Sequence, residues 1–252
     1  MEQRWIVSPQ YFEAAEPGLA VLAPPDAVRN GPHALADRSD ASMALVHRPI
    51  VAFVRDEAAA GRQPVSLTGD CCAAIPVLAG LQAAGIAPAV VWVDAHGDFN
   101  TPETSPSQFL GGMPLAMMAG RGPQGLMAAS GAAAVAEERI VLVDGRDLDP
   151  LEAEAVAGSG LVHIEVAALG DLRLPAPVLL HIDMDVLDAA EAPAFNYPVK
   201  GGPGPAALAE ALAGFSAANR IACLSISGWT PSIDADGRTA TACREALKPL
   251  IG

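Results

Sequence analysis

The chain alternates short, nearly unbroken apolar runs with longer stretches in which apolar positions recur at helical spacing. Ala89-Val-Val-Trp-Val93, Arg139-Ile-Val-Leu-Val-Asp144 and Pro177-Val-Leu-Leu-His-Ile182 lack the polar alternation of a half-solvated strand, so each predicts a strand buried on both faces. Runs at 64–68, 161–166 and 221–227 extend the set. Helix-length segments lie between them at 73–84, 205–217 and 239–250, and a helix of about eight residues opens at Asp149-Pro150, where proline occupies the first turn. Alternation on this scale implies right-handed crossovers and a mostly parallel sheet covered on both faces, an α/β fold of the three-layer α/β/α sandwich type. The first sixty residues are less regular: a first strand at either 4–8 or 19–22, an irregular loop over 23–40 and a long helix over 41–60. No repeat, low-complexity tract or linker divides residues 1–252, so the chain reads as one domain.

Chemistry collects where two of the buried runs end. Asp94-Ala-His96-Gly-Asp98 follows the run at 89–93, and Asp183-Met-Asp185 follows 177–182. Residues i and i+2 of a strand share a face, so the carboxylates of Asp183 and Asp185 can point at one spot. Four carboxylates so gathered repel one another unless cations sit between them, which points to a pair of divalent metals sharing ligands. An isolated Asp-X-Asp can equally cap a helix or lie in a solvated loop. Two such motifs at matching strand ends fall where an open parallel sheet places its ligand crevice.

Composition narrows the partners. The formal charge is −14, and only Lys200 and Lys248 of the fifteen basic residues are lysines, which argues against nucleic acid and suits a cationic ligand. The hydrophobic fraction, 51% of 252 residues, is ample for a core, yet no apolar run approaches the roughly 20 residues that span a bilayer. Four cysteines, Cys71, Cys72, Cys223 and Cys243, include an adjacent pair that cannot bridge easily, and the N-terminus lacks a signal pattern, so a reducing cytoplasm is expected. Gly201-Gly-Pro-Gly204 has neither the preceding strand nor the following basic residue of a phosphate loop.

The first motif continues through Phe99-Asn100-Thr-Pro-Glu-Thr-Ser-Pro-Ser107 to Gly111-Gly-Met-Pro114, and the second through Val-Leu-Asp188. In this order and separation they resemble the arginase, or ureohydrolase, family, across most of the chain. The resemblance implies an arginase-like sandwich, a homo-oligomer and a two-manganese site that hydrolyses a C–N bond of a guanidino or formimino group. By the same resemblance Asp94 and Asp183 touch both ions, Asp98 joins them on the first, and His96 and Asp185 hold the second. The first ion normally takes a further histidine from a Gly-Asp-His motif, which here reads Gly69-Asp70-Cys71. A thiolate at Cys71 would shift that site from manganese toward zinc, cobalt or ferrous iron; the alternative is a small buried residue and one ligand fewer. Cys72, Cys223 and Cys243 are read as core packing.

Two catalytic positions depart from the family. The proton-shuttling histidine aligns with Gly111, and the glutamate that pairs with the substrate guanidinium aligns with Gly228, in Ser225-Ile-Ser-Gly-Trp-Thr-Pro231. Asn100 and Ser107 match residues that bind an α-carboxylate, and Asp149 and Glu152 match positions near the α-amino group. The alternative is that the first two order a Pro-rich loop and Asp149 caps its helix. Asp98 is the expected proton acceptor. His181, two residues before Asp183 on the same strand face, is the candidate to carry the final proton, or else a buried strand histidine. Trp229 either lines the pocket or packs in the core, and His33 and His47 are expected at the surface. The implied activity is binuclear-manganese hydrolysis of a small guanidino amino acid, N-hydroxy-arginine being one substrate, with release of urea or hydroxyurea. A formiminoglutamase-type hydrolase and a non-catalytic metal-binding relative are the alternatives.

Overall fold

In the computed structural model, which describes residues 1–251, ten strands and eight α-helices follow in order. The strands are β1 (Gln3–Val7), β2 (Gln10–Tyr11), β3 (Ala14–Ala15), β4 (Val28–Arg29), β5 (Gln63–Leu67), β6 (Ala89–His96), β7 (Ile140–Asp147), β8 (Val162–Ile164), β9 (Val178–Asp183) and β10 (Ile221–Ser227). The helices are α1 (Asp40–Ala59), α2 (Ala74–Ala83), α3 (Pro114–Met118), α4 (Gly125–Ser130), α5 (Pro150–Ala157), α6 (Val166–Leu169), α7 (Pro205–Ala218) and α8 (Arg238–Ile251). Eight strands form one sheet in the order β4-β1-β5-β10-β9-β6-β7-β8, every pairing parallel. β2 and β3 make a separate antiparallel ladder.

The unbroken apolar runs become the centre of this sheet: every residue of β9 and all but the last of β6 are buried. Alternate side chains feed two cores. Val90, Trp92, Leu142, Leu179 and Cys223 pack under α1, α2, α4 and α5, while Val91, Val93, Leu180, Ile182 and Ile226 pack under α6, α7 and α8. Helix α2 is buried along most of its length, as a helix apolar on all sides must be. The three-layer sandwich with a mostly parallel sheet is thus the observed fold.

The N-terminal choice resolves in favour of β1, and 19–22 lies instead in a 3₁₀ turn that buries Leu19 and Leu22. The strand expected at 161–166 shortens to three residues because β8 is a sheet edge with Val162 exposed. His47 is not a surface residue: it is 1% exposed on the inward face of α1, 3.4 Å from the Ser130 hydroxyl. Cys72, Cys223 and Cys243 are free and buried in the cores. No helix among the described residues is long and apolar enough to cross a membrane.

Candidate metal centre

β5, β10, β9, β6 and β7 are neighbours in the sheet, so their C-terminal ends open onto one crevice. A cavity of about 260 Å³ occupies it, floored by Cys71, Asp94, His96, Asp98, Asp183 and Asp185. Register explains the convergence: Trp92 pairs with His181 and Ser225 with His181, so Asp94, Asp183 and Ser227, two residues on, share one face.

The donor atoms form two groups that meet at Asp94. One ligand atom each from Asp94, His96 and Asp185 lie within 4.8 Å of one another, and so do one each from Cys71, Asp94 and His181. The Asp94 carboxylate also accepts from the Trp92 indole N–H at 3.0 Å and from the His96 amide at 2.7 Å, which fixes its plane. Asp183 accepts from the Asp185 amide at 2.9 Å and from the Cys71 thiol at 2.8 Å.

These groups are strained in the electrostatic sense. Asp98 Oδ2 and Asp185 Oδ1 are buried without a hydrogen-bond partner. Burial first, then the facing Asp94 and Asp183, push the Asp98 and Asp185 carboxyls well above the usual range, and Asp183 rises to about 6 for the same reasons. Burial would pull the His96 imidazole down, but Asp185 and Asp94, 3.2 and 3.4 Å away, raise it to about 12. The imidazolium proton stands in electrostatically for a cation. Asp98 also adopts φ +48°, a left-handed backbone that a non-glycine residue holds only when its surroundings enforce it. Orphaned carboxylate oxygens within a mixed O, N and S donor set fit divalent cations well.

The proposed amino-acid-binding residues also line the cavity, with other attachments. Asn100 donates to Asp149 at 3.0 Å and accepts from Thr104 at 2.8 Å, while Ser107 sits exposed at the rim and accepts from the Phe109 amide at 3.2 Å. Glu152 receives the amides of Phe99 at 2.8 Å and Asp149 at 3.2 Å; burial raises its carboxyl to about 7. Asn100 therefore ties its loop to the first turn of α5, as the ordering alternative requires, and still faces the cavity.

His181 is not brought to the cavity. It is fully buried below the floor, its ring stacked on Trp92 at 3.7 Å between centroids and its Nδ1 3.0 Å from Ser225 Oγ. Carrying a proton to a departing nitrogen is therefore the wrong assignment for it, because β9 holds the ring beneath the floor, against Trp92, rather than in the cavity. Trp229 likewise packs in the core, with its indole N–H on Asp234.

The positions of Gly111 and Gly228 have steric causes. A Cβ at 228 would collide with the Asp183 carboxylate, and φ there is +91°, so a larger residue requires this loop to move. A Cβ at 111 would meet the Phe109 ring. That ring belongs to an aromatic rim overlooked in the sequence: Tyr11, Phe12, Phe109 and Tyr197. The one available signal was scarcity, since both tyrosines of the chain lie there. Phe109 packs edge-on against Phe12 at 5.8 Å and tilted on Tyr197 at 5.3 Å, with the Arg38 guanidinium 4.3 Å above Phe12.

A profile of the Arginase family matches residues 14–252. The chain is 35% identical over 177 residues to the arginase of Bacillus caldovelox, covering 64% of this chain and 59% of that protein. It is 40% identical over 124 residues to the N(omega)-hydroxy-L-arginine amidinohydrolase of Streptomyces lavendulae, covering 47% of this chain and 43% of that protein. These alignments thus span less than two thirds of either relative. The fold is similar to the crystal structure of arginase from Bacillus cereus, with TM-score 0.85 at 26% identity, covering 100% of this chain and 99% of that one.

Proposed function

The chain belongs to the arginase family, and from that membership we propose that it hydrolyses a linear C–N bond of a guanidino amino acid with two divalent ions, N-hydroxy-arginine being the favoured substrate. The observation that carries the reading is the pair of donor groups sharing Asp94 at the cavity floor, with unpartnered oxygens of Asp98 and Asp185 beside them. Asp94 and Asp183 would be shared, His96 and Asp185 would hold the outer ion, and manganese suits that oxygen- and nitrogen-rich position. Divalent ions there supply Lewis acidity and a water whose pKa falls from about 15.7 toward 7.

The chain's own groups account for the rest. Asp98, on the cavity floor beside Asp94 and Asp183, would take one proton from the attacking water and return it to the departing nitrogen. Water plus the guanidine then gives urea, or hydroxyurea, and a primary amine. Asn100 and Ser107 would hydrogen-bond the α-carboxylate, Asp149 and Glu152 would face the α-amino group, and the aromatic rim would exclude bulk water.

Two observations favour the N-hydroxylated substrate over plain arginine. Gly228 leaves no carboxylate for a fully charged guanidinium and no room for one beside Asp183. An N-hydroxyguanidine is less basic and needs less countercharge. The 40% identity to an amidinohydrolase of that specificity points the same way.

Release of urea, hydroxyurea or formamide from arginine, N-hydroxy-arginine, agmatine and formiminoglutamate tests the proposal, with the protein loaded with manganese, cobalt or both. N-hydroxy-arginine should turn over fastest. Turnover of formiminoglutamate alone would reassign the substrate, and none on any compound would leave a metal-binding protein without this activity.

A further inference from the structure

We propose that the inner position of this centre is a thiolate–imidazole–carboxylate site built from Cys71, His181 and Asp94, which takes a borderline ion such as zinc or cobalt in preference to manganese. The inference rests on the two-ion reading above and adds to it a ligand that the family motif does not supply: an imidazole from β9 in place of the one missing after β5.

The two donor groups meeting at Asp94 differ in kind. The outer one, Asp94, His96 and Asp185, offers carboxylate and imidazole only, whereas the inner one adds the Cys71 sulfur, with all three donor atoms within 4.8 Å of one another. Thiolate with imidazole and carboxylate is a donor set for tetrahedral zinc or cobalt; manganese prefers oxygen-rich, higher-coordinate surroundings. Both novel ligands are buried, Cys71 at 8% exposure and His181 at 0%.

His181 is held as a metal-binding histidine usually is. Its Nδ1 lies 3.0 Å from Ser225 Oγ on the neighbouring strand, and its ring is clamped against Trp92. An Nδ1–H donated to Ser225 leaves the Nε2 lone pair on the side of the floor, where Ser227 Oγ lies 3.4 Å from Nε2 and 3.2 Å from Cys71 Sγ. The same Ser227 hydroxyl is 3.3 Å from Asp183 Oδ2, so imidazole, thiol and shared carboxylate already converge through one small side chain. The thiol at present donates to Asp183; with a divalent ion held there the sulfur would serve as thiolate, its proton released to solvent. As a core packing residue His181 has no comparable rationale, since a strand face lined by Trp92, Leu179 and Cys223 would accept an apolar residue with no hydrogen bond to satisfy.

Titration of the metal-free protein with cobalt(II) tests this without reference to turnover. One equivalent should develop a thiolate-to-cobalt charge-transfer band in the near ultraviolet together with the strong visible absorption of four-coordinate cobalt. Excess manganese should fill the second position without abolishing either. Cys71→Ser should remove the charge-transfer band. His181→Gln should keep it but weaken cobalt binding by at least the 10- to 100-fold that loss of an orienting partner costs. Ser225→Ala should weaken it less, and its small change of volume covers the case in which His181→Gln does not fold. Zinc-edge X-ray absorption of the unmodified protein should show one sulfur neighbour beside nitrogen and oxygen. Two bound cobalt ions without a thiolate band, or wild-type cobalt affinity in a folded His181→Gln or Ser225→Ala variant, would overturn this inference and leave the two-ion reading standing. Failure to bind any metal would overturn both.

Discussion

The floor of the cavity is built from the C-terminal ends of buried strands and the few residues that follow them, whereas the rim is assembled from short segments around residues 11–12, 105–111 and 196–197. The floor gathers charges that the protein interior tolerates only with cations among them; the rim gathers rings that are comfortable as they stand. Floor residues are therefore constrained by electrostatics, and any change there alters what ion or proton can be held. Rim residues are constrained by contact and shape, and changes there alter what fits. The two regions should answer mutation in different currencies, rate and metal occupancy for the first, affinity for the second.

The largest separation is expected at Asp98. Asp98→Asn removes the proton acceptor while keeping the volume, so kcat should fall by about 10²- to 10⁴-fold. Folding should survive, because the substitution deletes a buried like charge beside Asp94 and Asp183. Urea or hydroxyurea release together with a thermal melt checks both halves. Near wild-type turnover in a folded variant would remove Asp98 from proton transfer.

A second break concerns pH. Burial raises the folded-state carboxyls of Asp183 to about 6 and Glu152 to about 7, above their unfolded values. Between pH 4 and 7 these two carboxyls thus bind more protons in the folded, metal-free protein than in the unfolded chain, so their contribution to stability is greatest at the acidic end and declines as pH rises through these values, while the buried His47 and His181, pulled down to about 4 and about 3, oppose it. Bound cations compensate the ionised carboxylates and reverse the trend. The difference in melting temperature between metal-loaded and chelator-treated protein should grow across this window; parallel pH profiles with and without metal would refute the account.

Gly228 lies where floor and rim touch, and it distinguishes a missing tool from an excluded one. Gly228→Ala forces a Cβ toward the Asp183 carboxylate at a φ of +91°, so it should cost on the order of 1–3 kcal/mol in stability and loosen metal binding. Gly228→Glu should fare no better and should not create a plain arginase, since the loop cannot present the carboxylate without displacing Asp183. Chemical denaturation and metal titration of both variants decide the point; a stable Gly228→Glu protein with improved arginine turnover would contradict it.

How legible each region was in the sequence follows the same division. β6 and β9 announce themselves because strands covered on both faces must be apolar throughout, and the polar residues that end them then stand out: Asp94, His96 and Asp98 in one run of letters, Asp183 and Asp185 in another. The sheet order was not, since nothing local states that β10 and β9 slip between β5 and β6. That interleaving is what brings Ser225, His181 and Trp92 side by side and turns His181 from a solitary strand residue into a neighbour of Cys71. Tyr11 and Phe12 were illegible for a related reason. They lie in an irregular N-terminal segment with no period to read, and their meaning comes from Phe109 and Tyr197, far away along the chain.

The rim gives the smallest expected effect and the sharpest test of the division. Phe109→Ala removes an edge-on contact with Phe12 and a tilted one with Tyr197. A guanidino group over the face of that ring would gain about 0.5–1 kcal/mol, so losing the ring should raise KM by roughly 2- to 5-fold. With no charge near the metal ligands altered, kcat should stay within about a factor of 2, the pattern of a group that binds ground and transition states alike. The same substitution clears the space into which a side chain at 111 would project. Gly111→His should therefore be damaging alone and better tolerated when combined with Phe109→Ala, a non-additive pair. Steady-state kinetics on the single and double variants reads the prediction directly. Equal falls in kcat and kcat/KM for Phe109→Ala would mean that the rim acts on the chemical step, and the separation between floor and rim would fail.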